Sequence, residues 1–263
     1  MVMKMKAKDI FQNLMDASLF KIENTCDGLI IGDADKSVNK IGTCFKLTAE
    51  LIERAVKTNI HMIITHEPTF AGGDIADDAN RFDVLKREML IESGITVYRY
   101  HDHAHNSEPD YVHDGFIKAV DLKIKRKFDR ESLGVCRYEL DEALTTKELA
   151  IRIREKLGVE FVRIVGKDDY LLKTVCLGLG SVCLTQVNIL FEPGCDLLIT
   201  GELGEVCVDE YVRDACYFGE NKSILVLGHY SSEYAGMRLL AEVLNKKIAP
   251  TVFLDGKEVY HGI

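Results

Sequence analysis

Seven residues, YHDHAHN at 100–106, hold three of the chain's eight histidines. His101, His103 and His105 alternate there with Asp102 and Ala104. Imidazole changes charge near neutral pH, so three together fill a core badly and carry a charge problem in acid. It is also the commonest metal-ligating side chain. Two other histidines stand beside carboxylates: His66-Glu67 in ITHEP, and His229 with Glu233 in GHYSSE. Imidazole and carboxylate donors without thiolate suit zinc, iron or manganese. The expected cofactor is therefore a divalent metal, one or two ions per chain.

The spacings set conditions. If 101–105 is extended, His101, His103 and His105 share a face, with about 7 Å between successive alternates. Neighbouring imidazoles then meet one ion, or two side by side. Pro68 keeps HEP out of helix. In HYSSE one helical turn brings Glu233 back toward His229. A carboxylate such as Glu67 or Glu233 can bridge two ions, whereas an imidazole normally cannot. Each piece alone has a plainer reading: a polar loop at HE, a chance surface cluster at HDHAH, a capped helix at HYSSE. Their combination argues for a metal site, because clustered titratable groups mark function. His61 and His113 read as structural or surface residues, and His261 as exposed.

Such residues need elements that bring them together. HMIIT (61–65) reads as a strand running into His66, ITVYRY (95–100) as one running into His101, and SILVLG (223–228) as one running into His229. In open α/β sheets ligands bind beyond the carboxyl ends of strands, so these residues can converge. DGLIIGD (27–33) and VNKIGTCFKL (38–47) read as further strands. Thr48 is placed to cap a helix over 48–58, and Gly94 to end one over 81–94. The second half repeats the rhythm. A capping box, Thr145 with Glu148, opens a helix that stops at Gly158. GLGS (178–181) reads as a tight strand-to-helix turn that could line a cavity; it lacks the lysine of a phosphate loop. DLLIT (196–200) leads into GELGEV, a helix follows over about 205–218, and Ser231 or Ser232 caps the last helix. The charged stretch DLKIKRKFDRES (121–132) reads as a junction, or plainly as a solvated loop or strand edge. It divides the chain into domains over 1–125 and 126–263, with the final strand and helix able to pack back on the first.

The chain has 263 residues, enough for one large domain or two smaller ones with real cores. Its net charge of −9 argues against general nucleic-acid or anionic-membrane binding. No apolar run reaches the ~18 residues of a transmembrane helix. The start reads as a first helix, not a signal peptide. Eight scattered cysteines without a C-x-x-C pair read as buried thiols in a reducing cytoplasm, in preference to disulfides or a zinc–cysteine site.

The motifs resemble those of the Nif-three-like dinuclear-metal proteins, also called type 2 GTP cyclohydrolase homologues. DGLIIGD is similar to that family's opening D-N-x-G-L-x-x-G, and MIITHEPTF to its I-I-x-H-H-P-x-x-F. VYRYHDHAHN stands where the family has V-Y-x-x-H-T-N-L-D. DLLITGE and VLGHYSSE resemble its D-x-x-I-T-G-E and G-H-x-x-x-E. The resemblance implies ligands at His66, Glu67, His101, His105, His229 and Glu233, with His103 an additional candidate. Two positions depart: a histidine has become Glu67, and an aspartate has become His105. One imidazole and one carboxylate have exchanged places. Bridging then falls to Glu233, Glu67 or Asp102, or the site holds one metal. The resemblance further implies two linked α/β domains and a toroidal homohexamer with metal sites facing an internal cavity. The expected fold is therefore α/β: two linked α/β domains with mixed sheets flanked by helices, and a metal site at strand C-terminal ends between them.

Two functions are weighed. In the first, a metal-dependent hydrolase acts on a small molecule, for example a nucleotide or phosphoester. A bound metal brings the pKa of its water toward neutrality. Attack on a purine ring carbon, a phosphate ester or an amide would all fit. Glu67 is the candidate general base, and Glu202 in TGE a candidate acid or substrate contact; its plainer reading is a turn residue. In the second, the metal serves a non-catalytic scaffold or regulatory assembly. Seven or more donors exceed the four of a closed structural site, which favours the first.

Overall fold

The computed structural model describes residues 5–128, 134–191 and 194–262, apart from the side chains of 184 and 189–191. The elements run α1 (Ala7–Asp16), β1 (Gly28–Ile31), β2 (Ile41–Cys44), α2 (Ala49–Lys57), β3 (Met62–Thr65), α3 (Arg81–Ser93), β4 (Thr96–Arg99), a 3-10 turn (Ala104–Asn106), α4 (Tyr111–Val120) and β5 (Ile124–Lys127). They continue with β6 (Val135–Leu140), α5 (Thr146–Leu157), β7 (Arg163–Gly166), β8 (Thr174–Val182), α6 (Leu184–Phe191), β9 (Leu197–Leu203), α7 (Glu205–Tyr217), β10 (Ser223–Val226), α8 (His229–Lys247) and β11 (Thr251–Phe253). The chain forms two compact units, Met1–Tyr111 with Gly236–Gly256, and Val112–Ala235 with Lys257–Ile263. The change of unit thus falls at the start of α4, while the composition change lies near 121–133. That stretch holds β5, an edge strand whose Lys125, Arg126 and Lys127 are exposed; its residues 129–133 lie outside the described residues.

The first unit is built on a mixed sheet in the order β1-β4-β3-β2-β11. β3 pairs in parallel with β2 and β4, β11 runs parallel to β2, and β1 closes the edge antiparallel to β4. MIIT is wholly buried, as the central strand of a covered sheet requires. Its Ile63 packs with Val97 of β4 and with Leu51, Ile52 and Ala55 of α2. The Thr48 side chain accepts from Leu51 N and caps α2, and Gly94 ends α3 in the left-handed region. The second unit carries a sheet in the order β5-β6-β8-β9-β10-β7. β8, β9 and β10 are parallel, and antiparallel strands flank them. Its core joins Cys176, Leu198 and Ile224 of the sheet to Val208 and Val212 of α7. The capping box at Thr145 and Glu148 is formed, with Gly158 in the left-handed region.

Several expectations change. The 101–105 stretch is not extended: it turns after β4 and enters the 3-10 turn. GLGS is part of β8, not a turn, and Glu202 lies on β9, not after it. α8 begins at His229, so Ser231 and Ser232 sit inside its first turn; Ser232 Oγ donates to His229 O at 2.8 Å. Cys176 and Cys195 are disulfide-linked, with Cα atoms 6.1 Å apart, against the expectation of thiols throughout. The pairing of β8 with β9 carries these two residues close together, a proximity that their 19-residue separation does not announce. No described helix is long and apolar enough to cross a membrane.

Candidate metal centre

In the first unit, β3 delivers His66 at its carboxyl end, fully buried. Its backbone N–H donates to the carbonyls of Cys44 and Phe45. Its Nδ1 lies 3.1 Å from the Tyr100 carbonyl. A carbonyl only accepts, so Nδ1 carries the proton and Nε2 is left as the ligating nitrogen. Arg99 of β4 fixes the chain that follows: its Nε donates to His66 O at 3.1 Å, and its Nη1 pairs with Asp74 at 2.9 Å. Asp74 in turn accepts from Thr69 N.

β4 ends one residue before Tyr100, and His101 follows. Its Nδ1 faces Asp102 Oδ1 at 2.9 Å, and its Nε2 stands 3.6 Å from Glu67 Oε1. Asp102 also accepts from Thr25 Oγ1 at 2.8 Å and Cys26 N at 3.2 Å. The His101 hydrogen bond, more than these two, holds its carboxyl well below the usual range in spite of burial. A carboxylate on one ring nitrogen orients an imidazole so that the other nitrogen can ligate. His105 comes back over the pair on the 3-10 turn, its N–H donating to His101 O at 3.2 Å. The ring centroids of His66 and His101 are 4.5 Å apart, those of His66 and His105 5.0 Å, and those of His101 and His105 5.1 Å.

One ring nitrogen from each of His66, His101 and His105 lies within 4.8 Å of the others. Ligands about 2.1 Å from a tetrahedral ion are about 3.4 Å apart, so each ring has at most about 0.7 Å to move inward. The donor set fits a borderline divalent ion. Cys26 is close to His101 and Asp102, and burial above all pushes its thiol up to about 12.

His103 does not join this group. The turn at 101–103 sends its ring the other way, where Nδ1 meets Asp27 Oδ2 at 2.6 Å and both side chains are buried. Asp27 also accepts from the backbone N–H groups of His101, Asp102 and His103. It ties the whole turn and is the residue that the motif reading missed. The signal was present, since Asp27 opens DGLIIGD, but its partners lie about 75 residues away.

In the second unit, β10 delivers His229 to the first turn of α8. Its Nδ1 lies 2.7 Å from Glu202 Oε1, and its Nε2 lies 3.2 Å from Glu233 Oε2. Glu233 is 1% exposed, Glu202 56%. One imidazole is thus held between a solvent-facing and a buried carboxylate, which suits a ligating pair steadied by Glu202. Gly180 of β8 makes room: it has φ +76°, and a Cβ there would meet Glu233 Oε1 at 2.5 Å and His229 Nε2 at 3.0 Å. Its N–H donates to Ser232 Oγ at 2.9 Å. His113, fully buried, contacts Tyr138 Oη and Gly134 O within the second unit and serves the core.

Residues 5–256 match the model of the Duf34/NIF3 (NGG1p interacting factor 3) family. A GTP cyclohydrolase 1 type 2 homolog of Clostridium acetobutylicum is 27% identical over 253 residues, covering 92% of this chain and 90% of the relative. A protein of the same name from Clostridium perfringens is 27% identical over 265 residues and covers 97% of each. Among solved structures, Staphylococcus aureus protein SA1388 superposes with a TM-score of 0.79 at 21% identity, covering 98% of this chain and 99% of that one. A Bacillus cereus protein related to NIF3 gives 0.76 at 15% identity, covering 99% of each. These likenesses show the fold, and the family match covers nearly the whole chain: the protein belongs to the Duf34/NIF3 family.

Proposed function

We propose that this chain binds one or two divalent ions (zinc, iron or manganese) and is a metal-dependent hydrolase of a small molecule. The ligands in the first unit are His66, His101 and His105, with Glu67 as a further donor; His229 and Glu233 are a donor pair of the second unit. The observation that carries the reading is the approach of three imidazole nitrogens to within 4.8 Å at two strand ends. Unmetallated, such a cluster is a liability, since protonation of any two rings brings like charges together.

A divalent ion supplies Lewis acidity, acidifying water and polarising a substrate oxygen. The chain's own groups do the rest. Asp102 and the Tyr100 carbonyl set the tautomers of His101 and His66. Glu67 has a side chain 15% exposed and stands 3.6 Å from His101 Nε2, placed to take a proton if it is not itself a ligand. Glu202 holds His229 and remains open to solvent. A purine ring carbon, as in the name carried by the Clostridium relatives, a phosphate ester and an amide all fit this chemistry. The proposed assembly is a homohexamer, as the motif resemblance implies, and the proposed compartment is the cytoplasm.

The burial of His66 and His105 favours a second reading, a closed site in a non-catalytic scaffold. Water-proton relaxation of the manganese-loaded protein separates the two. Enhancement well above that of a His66→Ala control marks an open coordination position and supports the hydrolase. A bound ion without enhancement would leave the scaffold.

A further inference from the structure

A cleft of about 400 Å³ in the second unit is lined in part by His229. That volume is at the small end of ligand sites. Val226 and Leu227, both buried, and the rings of Phe161 and Tyr260, 44% and 69% exposed, form its apolar wall. Its polar lining is one-sided. Among its described lining residues, Glu160, Glu202, Glu205 and Glu258 face a single permanent cation, Arg163. Arg163 is already taken, with Nη1 2.5 Å from Glu205 Oε1. Glu258 accepts from Ser231 Oγ at 2.5 Å and from Val259 N at 2.8 Å, and Glu160 from Gly262 N. These neutral donors orient the two carboxylates without cancelling their charge.

Carboxylates in surplus beside exposed aromatic faces form a cation-binding environment, since both attract an ammonium group. The same surplus repels a polyphosphate. We propose that this cleft binds a small primary amine bearing an apolar or aromatic group. The ammonium lies among Glu160, Glu202 and Glu258, and the apolar part lies on Phe161, Leu227 and Tyr260. The substrate class is then an amine-bearing amide, such as an aminoacyl amide, and not a nucleoside polyphosphate. Hydrolysis adds the water oxygen to the acyl carbon as the C–N bond breaks; one water proton goes to the leaving nitrogen. The substrate role rests on the hydrolase reading above, whereas binding does not, so binding is what is tested.

The test is calorimetric titration of the full chain, dialysed against chelator so that no ion attracts anions, with three probes: phenethylamine, its anionic isostere 3-phenylpropionate, and GTP. Phenethylamine should bind at least about tenfold more tightly than either anion. Phe161→Ala and the Glu160→Gln, Glu258→Gln double variant should each weaken it several-fold at an unchanged melting temperature. Equal or tighter binding of an anion, no binding of the amine, or amine binding indifferent to both variants would overturn the proposal. Metal content of the undialysed protein is measured separately. Loss of the metal reading with amine selectivity intact, or the reverse, therefore shows which of the two has failed.

Discussion

His103 separates what sequence spacing can tell from what it cannot. His66, His101 and His105 were legible as ligand candidates because strands run straight into the first two and the cluster is dense. The inclusion of His103 followed from assuming an extended 101–105, and that assumption failed because Asp27 gathers three consecutive backbone N–H groups and turns the chain. No local pattern reveals a partner so distant. Two outcomes follow at this scale. His103→Gln should keep its metal content within a fifth of wild type, while His66→Ala and His105→Ala lose most of theirs, as read by elemental analysis of each variant. Asp27→Ala leaves the His103 ring and the turn amides buried without their acceptor. It should destabilise the fold by about 3 kcal/mol or more, read by urea denaturation.

Strands and helices with strong periodicity or caps were legible: β3, β4, α2, α3, the boxed α5. The elements that escaped have physical reasons. α4 opens directly after a polar turn and carries Gly115 in its middle, a poor helix former. β5 has an exposed, fully charged end and owes its conformation to pairing with β6. β11 has three residues and exists through its parallel pairing with β2. GLGS reads as a turn because of its glycines, yet Gly180 is there to clear Glu233 and His229 within β8. Gly180→Ala should cost about 1–3 kcal/mol through its positive φ and displace the His229–Glu233 pair, visible as a shifted His229 resonance in NMR. The loop ahead of α5 is held by Glu142, which accepts from Arg152 Nη1 at 2.7 Å and Lys123 N at 3.1 Å. The Arg152 hydrogen bond holds its carboxyl below the ordinary 4.5. A carboxyl depressed in the folded state contributes stability above its unfolded pKa and loses it as pH falls through the folded one. Glu142→Gln should therefore lower stability at pH 7 and narrow its gap from wild type below about pH 4.

At the scale of the whole molecule, the sequence shows α/β alternation, an acidic surface and a family resemblance that the family match bears out. It lets the final strand and helix pack back on the first domain, but it does not place the change of unit inside α8, which carries no break there. A disulfide in a chain read as cytoplasmic was not legible either. The proposed hexamer gives a direct expectation: equilibrium sedimentation should return about six times the 29.6 kDa chain mass, and a monomer mass would contradict that assembly.

The central claim is that His66, His101 and His105 hold metal. The most direct measurement is metal per chain, by elemental analysis of protein purified without added metal, for wild type beside His105→Ala and His103→Gln. Wild type and His103→Gln should each carry between one and two ions per chain, and His105→Ala should lose most of its metal. Wild-type metal content in folded His105→Ala, or a wild type that takes up no ion under zinc, iron or manganese supplementation, would contradict it.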